Sequence, residues 1–250
     1  MTGLLQRLTR RRPRPAPVRG GDRPLALVYR GPAARPVECS EAVAALLAST
    51  RHGFDVRYVG PREELELTAE TLAGAALYAQ PGGGTLGRAW TRMRHSREPI
   101  RDYVHGGGRY LGFCLGGYLA GATPGFGLLP GDTDRWIDTD GASVDHDGDA
   151  LVDVRWGGRS RTLFFQDGPH FLLDRSGPAT VLGRYPNGAA AAVVAPFGGG
   201  RVGVVGPHPE AGPDWFADAG LPAYDAHDLG WQLIDEVMAP AIPVSRKERS

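Results

Sequence analysis

The chain has 250 residues, of which 37 are glycine, 21 proline and two cysteine, enough to bury one α/β core without a disulfide or metal staple. No apolar run reaches the roughly 18 residues that a membrane span requires, and the scarcity of cysteine fits a reducing, cytoplasmic compartment. The formal net charge is zero, but residues 1–24 set seven arginines against one acid, Asp22, a net +6, and the remainder carries −6. That mildly acidic body offers no basic stripe, so nucleic acid is not expected as a partner.

Residues 1–24, rich in arginine and proline and without an apolar core, read as a disordered tail with no export signal. Residues 241–250 read as a flexible tail. Between them, residues 25–240 show no internal linker and form one domain.

In chain order, LALVY (Leu25–Tyr29) is a short apolar run of the kind that makes a buried parallel strand. PVECSEAVAALLAS (36–49) spaces Val43, Leu46 and Leu47 as a helix does, with Pro36 and Glu38 near its start. FDVRYV (54–59) alternates like a strand, and AALYA (75–79) is another apolar run, ending in QPGGGT. PIRDYVHGGG (99–108) reads as a helix closed by glycines, and RYLGF (Arg109–Phe113) as a strand. The rhythm β-α-β-β-α-β predicts a doubly wound, mostly parallel sheet. ALVDVRW, SRTLFFQ, ATVLGRY, AAAAVVAPF and RVGVVG, between residues 149 and 206, then predict added antiparallel strands. A closing helix in YDAHDLGWQLIDEVM aligns Leu229, Leu233, Ile234 and Val237.

The chemistry gathers around Cys114. GFCLG (112–116) has the form of a nucleophile elbow, a sharp strand-to-helix turn whose crowding requires small residues two before and two after the nucleophile. Gly112 and Gly116 supply them. A helix beginning near Leu115 points unpaired N–H groups and its positive end toward the sulfur, and the Leu115 N–H can hold a developing oxyanion. QPGGGT follows another strand end, so Gly83 is the expected second donor, with Gly82 beside it. In GPHPE, His208 can act as base and Glu210, two residues on, can orient it. A lone histidine after a strand is ordinarily a surface or core residue; elbow, glycine loop and H-x-E together, each at a strand end, favour catalysis.

With GFCLGG and GPHPE in this order, the chain resembles the class I glutamine amidotransferase-like superfamily. VYRGP, QPGGGT, IRDYVHGGGRYLGFCLGGYLA, FFQDGPHF and GPHPE are similar to the amidotransferase-like domain at the N-terminus of some biotin-protein ligases. The resemblance implies a flavodoxin-like sheet with helices on both faces, Cys114 as nucleophile, His208 as base, Glu210 as its partner, and Gly83 and Leu115 as oxyanion donors. Two departures follow. Glutamine-hydrolysing members carry Gln four residues after the cysteine, where this chain has Tyr118, so the identity of the amide stays open. No biotin ligase half is found.

The aspartate-dense stretch 132–153 lacks the glycine that an EF-hand loop needs and reads as a solvated acidic loop. Asp167 and His170 are expected in a turn between strands, with Gly82, Tyr118 and His170 bordering the substrate pocket. Cys39 reads as structural. The remaining histidines have no zinc spacing, and no metal or cofactor is expected. Three functions stay in view: a cysteine-dependent amide hydrolase or amidotransferase acting on a small molecule, with an acceptor or synthetase partner if ammonia is released; a non-catalytic binding or regulatory module; and a thiol-based stress protein.

Overall fold

The structure, a computed structural model, describes residues 23–175 and 177–240. The two expected tails lie outside the described residues except for Arg23 and Pro24. Arg23 is anchored, donating from Nε to the carbonyl of Gly53 at 2.7 Å.

The first half follows the expected α/β order, with more helix than its sequence pattern suggests. Strand β1 (Leu25–Tyr29) leads to helix α1 (Glu38–Ala48), β2 (Asp55–Val59), the single-turn α2 (Ala69–Ala73) and β3 (Leu77–Gln80). Helices α3 (Leu86–Met93) and α4 (Arg97–His105) then precede β4 (Arg109–Phe113) and the short α5 (Leu115–Ala120). The β2–β3 connection, expected to lack a helix, therefore contains one. Thr68 caps it by accepting from the Thr71 N–H, a local bond that offsets the weak helix tendency of five residues.

The second half contains β5 (Gly131–Arg135), β6 (Ala150–Trp156), β7 (Arg159–Phe165), β8 (Pro169–Leu173), β9 (Thr180–Arg184), β10 (Ala190–Phe197) and β11 (Gly200–Val205). It closes with α6 (Pro213–Asp218) and α7 (His227–Met238). The sheet order is β2-β1-β3-β4-β11-β10-β9-β6-β7. Strands β2, β1, β3, β4 and β11 run parallel, in the flavodoxin-like order. From β11 onward the neighbours are antiparallel.

Two expectations require correction. RVGVVG, expected among the antiparallel additions, is antiparallel only to β10. On its other edge it runs parallel to β4 and completes the parallel half, so it carries the GPHPE loop to the same sheet edge as Cys114. Secondly, the solvated acidic loop begins with a strand: Asp132 and Asp134 lie in β5, paired to β8. Asp132 Oδ1 accepts from the Ala122 N–H at 2.8 Å, tying down the chain after α5.

Both sheet faces are covered. Ala26 and Val28 of β1 join α1 and α7 in one apolar cluster, in which Leu229, Leu233, Ile234 and Val237 are buried. Leu27 and Tyr29 point to the other face, with Leu72, Met93, Ile100, Val104 and Leu119 from α2 to α5. This two-sided burial explains the continuous apolar character of β1. Among the described residues no helix is long and apolar enough to cross a membrane.

Candidate active site

The carboxyl ends of β3, β4 and β11 bring together the QPGGGT loop, Cys114 and the GPHPE loop. Cys114 sits between β4 and α5 with φ 45° and ψ −104°, a backbone conformation that side-chain-bearing residues seldom adopt. Its N–H is held by the Val205 carbonyl at 2.8 Å. The turn leaves no room for larger neighbours: a Cβ on Gly112 would lie 2.4 Å from the Gly116 oxygen, and one on Gly116 would lie 2.0 Å from the Gln80 oxygen. The glycines on either side of the cysteine are thus steric requirements of the elbow. Leu115 is the first residue of α5, a position whose N–H has no intrahelical acceptor.

His208 is fixed by backbone and side chain together. Its N–H donates to the Phe164 carbonyl at 2.9 Å, and its Nδ1 lies 2.9 Å from Glu210 Oε1. With Nδ1–H donating to the carboxylate, Nε2 is the nitrogen left for proton exchange. Residues 209 and 210 form a turn rather than the extended segment expected from their spacing, and the turn still returns the carboxylate to the ring. Burial, the strongest single influence on the ring, disfavours its charged form. The Glu210 charge, the Cys114 charge and hydrogen bonds from both outweigh burial and bring the His208 pKa up to about 10. Phe164 and Trp215 flank the imidazole at centroid distances of 6.0 and 5.3 Å.

A Cβ added to Gly82 would come within 3.0 Å of His208 Cε1 and 3.3 Å of Cys114 Cβ. The cysteine, the histidine and this glycine therefore converge on one point. Gly83, with φ 97°, instead abuts the Arg35 backbone, where an added Cβ would lie 2.2 Å from its oxygen. The Cys114 thiol donates to the Gln166 carbonyl at 3.5 Å.

Tyr118 stands one helical turn beyond the cysteine and is buried. Its hydroxyl donates to the Asp167 carbonyl at 3.1 Å. Burial, then the charges of Cys114 and Asp167, hold the phenol well above its ordinary range, so it is a donor. Asp167 occupies a turn, with φ 45°, and pairs with Arg135. His170, expected in that turn, is in β8 opposite Asp134; burial lowers its pKa and Asp134 opposes the shift. Cys39 is buried in α1, and burial, followed by the charges of Glu210 and Cys114, pushes its thiol up to about 12.

Beside this constellation lies a cavity of about 950 Å³ reaching Glu210, Phe164, Gln166 and Cys39. Neither Tyr118 nor His170 lines it. Gln166, Phe164 and Trp215 escaped the sequence reading as site residues. Gln166 lies inside FFQDGPHF and could have been found there, whereas nothing local distinguishes Trp215. Among the described residues no three His, Cys, Asp or Glu side chains gather as a metal site.

Comparison with known proteins bears on the fold and its relatives. Residues 25–131 match the family model described as biotin-protein ligase, N terminal. The chain is 32% identical over 126 residues to imidazole glycerol phosphate synthase subunit HisH of Rhodopirellula baltica, an alignment covering 47% of this chain and 60% of the relative. It thus spans about 60% of that relative's length. A crystal structure of a glutamine amidotransferase superposes with a TM-score of 0.53 at 20% identity, covering 74% of this chain and 90% of the other. A cytoplasmic protein of Salmonella typhimurium, STM1381, gives 0.52 at 15% identity, covering 85% and 98%. The last two share the fold. From motifs, strand order and relatives together, the chain is similar to the class I glutamine amidotransferase-like superfamily.

Proposed function

We propose that the protein is a cysteine-dependent amide hydrolase or amidotransferase with Cys114, His208 and Glu210 as its catalytic triad. The observation that carries this reading is the buried His208 ring, gripped by Glu210 at 2.9 Å, converging with the strained-elbow Cys114 on Gly82, where an added Cβ would lie 3.0 Å from His208 Cε1 and 3.3 Å from Cys114 Cβ. The Cys114 thiol passes its proton to His208 and Sγ forms a bond to the amide carbon as the carbonyl π electrons move to oxygen. The resulting oxyanion is held by the Leu115 N–H, with a donor from the Gly82–Gly83 loop as its partner. Collapse breaks the C–N bond, and the imidazolium proton passes to the leaving amine. Water, deprotonated by His208, then attacks the thioester, releasing the carboxylic acid and restoring the thiol. If the amine released is ammonia, a separate acceptor or synthase chain uses it, as the subunit status of the HisH relative suggests.

The test is ammonia release from glutamine and a panel of carboxamides by wild type and Cys114→Ala, with mass spectrometry for an acyl adduct on Cys114. Wild-type release with an adduct, both absent from the variant, is the expected result. Equal background in both proteins and no adduct would favour the binding-module reading.

A further inference from the structure

Cys114 is a covered nucleophile. The residue is buried, and its thiol donates to the Gln166 carbonyl at 3.5 Å, so the oxygen of the Gln166–Asp167 peptide faces the sulfur. Gln166, Asp167 and Gly168 are the whole link between β7 and β8, and both ends of that link are fixed. Phe165 is fully buried and meets the Trp136 ring edge-on at a centroid distance of 5.3 Å. Gly168 is pressed against the end of β11, where an added Cβ would lie 2.3 Å from the Gly206 oxygen. Between these points the chain is open to solvent: Gln166 is exposed, and its side-chain amide donates to Asp149 Oδ1 at 2.7 Å, again at an exposed position.

The backbone of this link is strained. Among the described residues, Cys114 and Asp167 are the two non-glycines with positive φ, each at 45°, a conformation that costs a side-chain-bearing residue free energy. Rotating a peptide plane by about half a turn exchanges a positive φ at the residue after it for a negative one, which is the difference between type II and type I turns. Here that rotation involves only ψ of Gln166 and φ of Asp167, and it leaves Phe165 and Gly168 in place. It carries the Gln166 oxygen off the sulfur, relieves Asp167, and turns the Asp167 N–H to the side that the oxygen held. Opposing it are three local contacts: the thiol bond, the Tyr118 hydroxyl on the Asp167 carbonyl at 3.1 Å, and Arg135 Nε on Asp167 Oδ1 at 2.9 Å. The last is a partly exposed ion pair, of a kind that contributes little.

We propose that the Gln166–Asp167 peptide is a switch over the nucleophile, capping Cys114 with a carbonyl as it stands and uncovering the sulfur when it flips. The inference rests on the triad reading above and names how that site is held off and opened. A carbonyl accepts from a thiol and offers a thiolate nothing, whereas an N–H does the reverse, so the flip exchanges a contact suited to the resting thiol for one suited to the attacking sulfur. Gln166 also lines the cavity beside the triad, so a molecule entering there touches the residue that moves.

The test reads the rate of Cys114 alkylation by iodoacetamide in the full chain near pH 7.5, with the adduct mapped by mass spectrometry. Asp167→Gly and Asp167→Ala both lose the carboxylate and its Arg135 pair, and they differ in the cost of a positive φ. Glycine adopts it freely, which favours the capped arrangement; alanine does not, and the alanine variant should react at least about fivefold faster than the glycine variant. Equal rates, or a faster glycine variant, overturn the inference. Should Asp167→Ala fail to fold, Asp149→Ala, which frees the Gln166 side chain, replaces it against wild type: a rise of about twofold or more is expected, and an unchanged rate overturns the inference. Ammonia release and acyl-adduct formation are measured on the same proteins. Turnover with an adduct on Cys114 but equal alkylation rates removes the switch and leaves the triad; the expected order of rates with neither turnover nor adduct removes the triad and leaves the switch.

Discussion

His208 Nδ1 and Glu210 Oε1 are 2.9 Å apart, in a pair whose side chains are 3% and 0% exposed. Water competes little for either partner, so the carboxylate sets both the tautomer and the charge of the ring. Its charge leads the influences that raise the His208 pKa. Glu210→Gln keeps the shape and removes that charge, so the ring should lose its proton at lower pH. NMR titration of the His208 ring should show a midpoint near 10 in wild type and at least about one unit lower in the variant. Amide turnover should fall by roughly 10²–10⁴. An unshifted midpoint would remove Glu210 from its positioning role.

The same shift has a consequence for stability. A group with an ordinary pKa of 6.5 that is held at about 10 in the folded chain favours folding most below pH 6.5. That contribution drains away as pH rises through about 10. Urea unfolding of wild type and His208→Gln should therefore show their largest stability gap near pH 6, shrinking steadily toward pH 10. A gap that widened with pH would reverse the assigned sign.

The two cysteines should differ sharply in reactivity. Both cysteines are buried, but Cys39, pushed up to about 12, remains a thiol at neutral pH, whereas Cys114 sits on the elbow beside the imidazole. Brief treatment with iodoacetamide near pH 7.5 should give a single adduct, mapped to Cys114, and none in Cys114→Ala. Equal labelling of both residues would contradict this assignment.

Gly116 tests the elbow without touching the triad. Its added Cβ would meet the Gln80 backbone oxygen at 2.0 Å, and a backbone atom in a central strand cannot step aside as a flexible side chain can. Gly116→Ala should cost about 3 kcal/mol, read as a lowered urea midpoint with an unchanged slope. An alanine variant as stable as wild type would show that the turn has slack.

The elbow was legible in the sequence because its constraint is local: Gly112, Cys114 and Gly116 must crowd within five residues whatever the rest of the fold does. His208 and Glu210 were legible for a related reason, being two residues apart after an apolar strand. What the pattern concealed was partnership at a distance. RVGVVG reads as a strand, but nothing in it reports that one neighbour is β10 and the other β4, about 90 residues earlier. GDTDR has no apolar alternation, because β5 pairs only with β8 at the margin of the sheet, and it passed for loop. The acidic cavity was hidden most completely, since Glu41, Asp149 and Asp214 meet only when α1, the β6 hairpin and α6 are folded together.

Tyr118 stands four residues after Cys114, where the family resemblance implies a glutamine. Its ring is buried beside the thiol, and its hydroxyl holds the Asp167 carbonyl at 3.1 Å. Those two contributions can be separated. Tyr118→Phe keeps the ring and loses one hydrogen bond to a turn, so stability should drop by about 1 kcal/mol with the order of amide preference unchanged. Tyr118→Gln removes the ring and places an amide, both donor and acceptor, one helical turn from Cys114. Glutamine hydrolysis should then rise relative to wild type, measured as kcat/KM for ammonia release. If the phenylalanine variant alone alters amide preference, the hydroxyl rather than the bulk of Tyr118 governs selection; if neither variant does, Tyr118 does not set the amide preference.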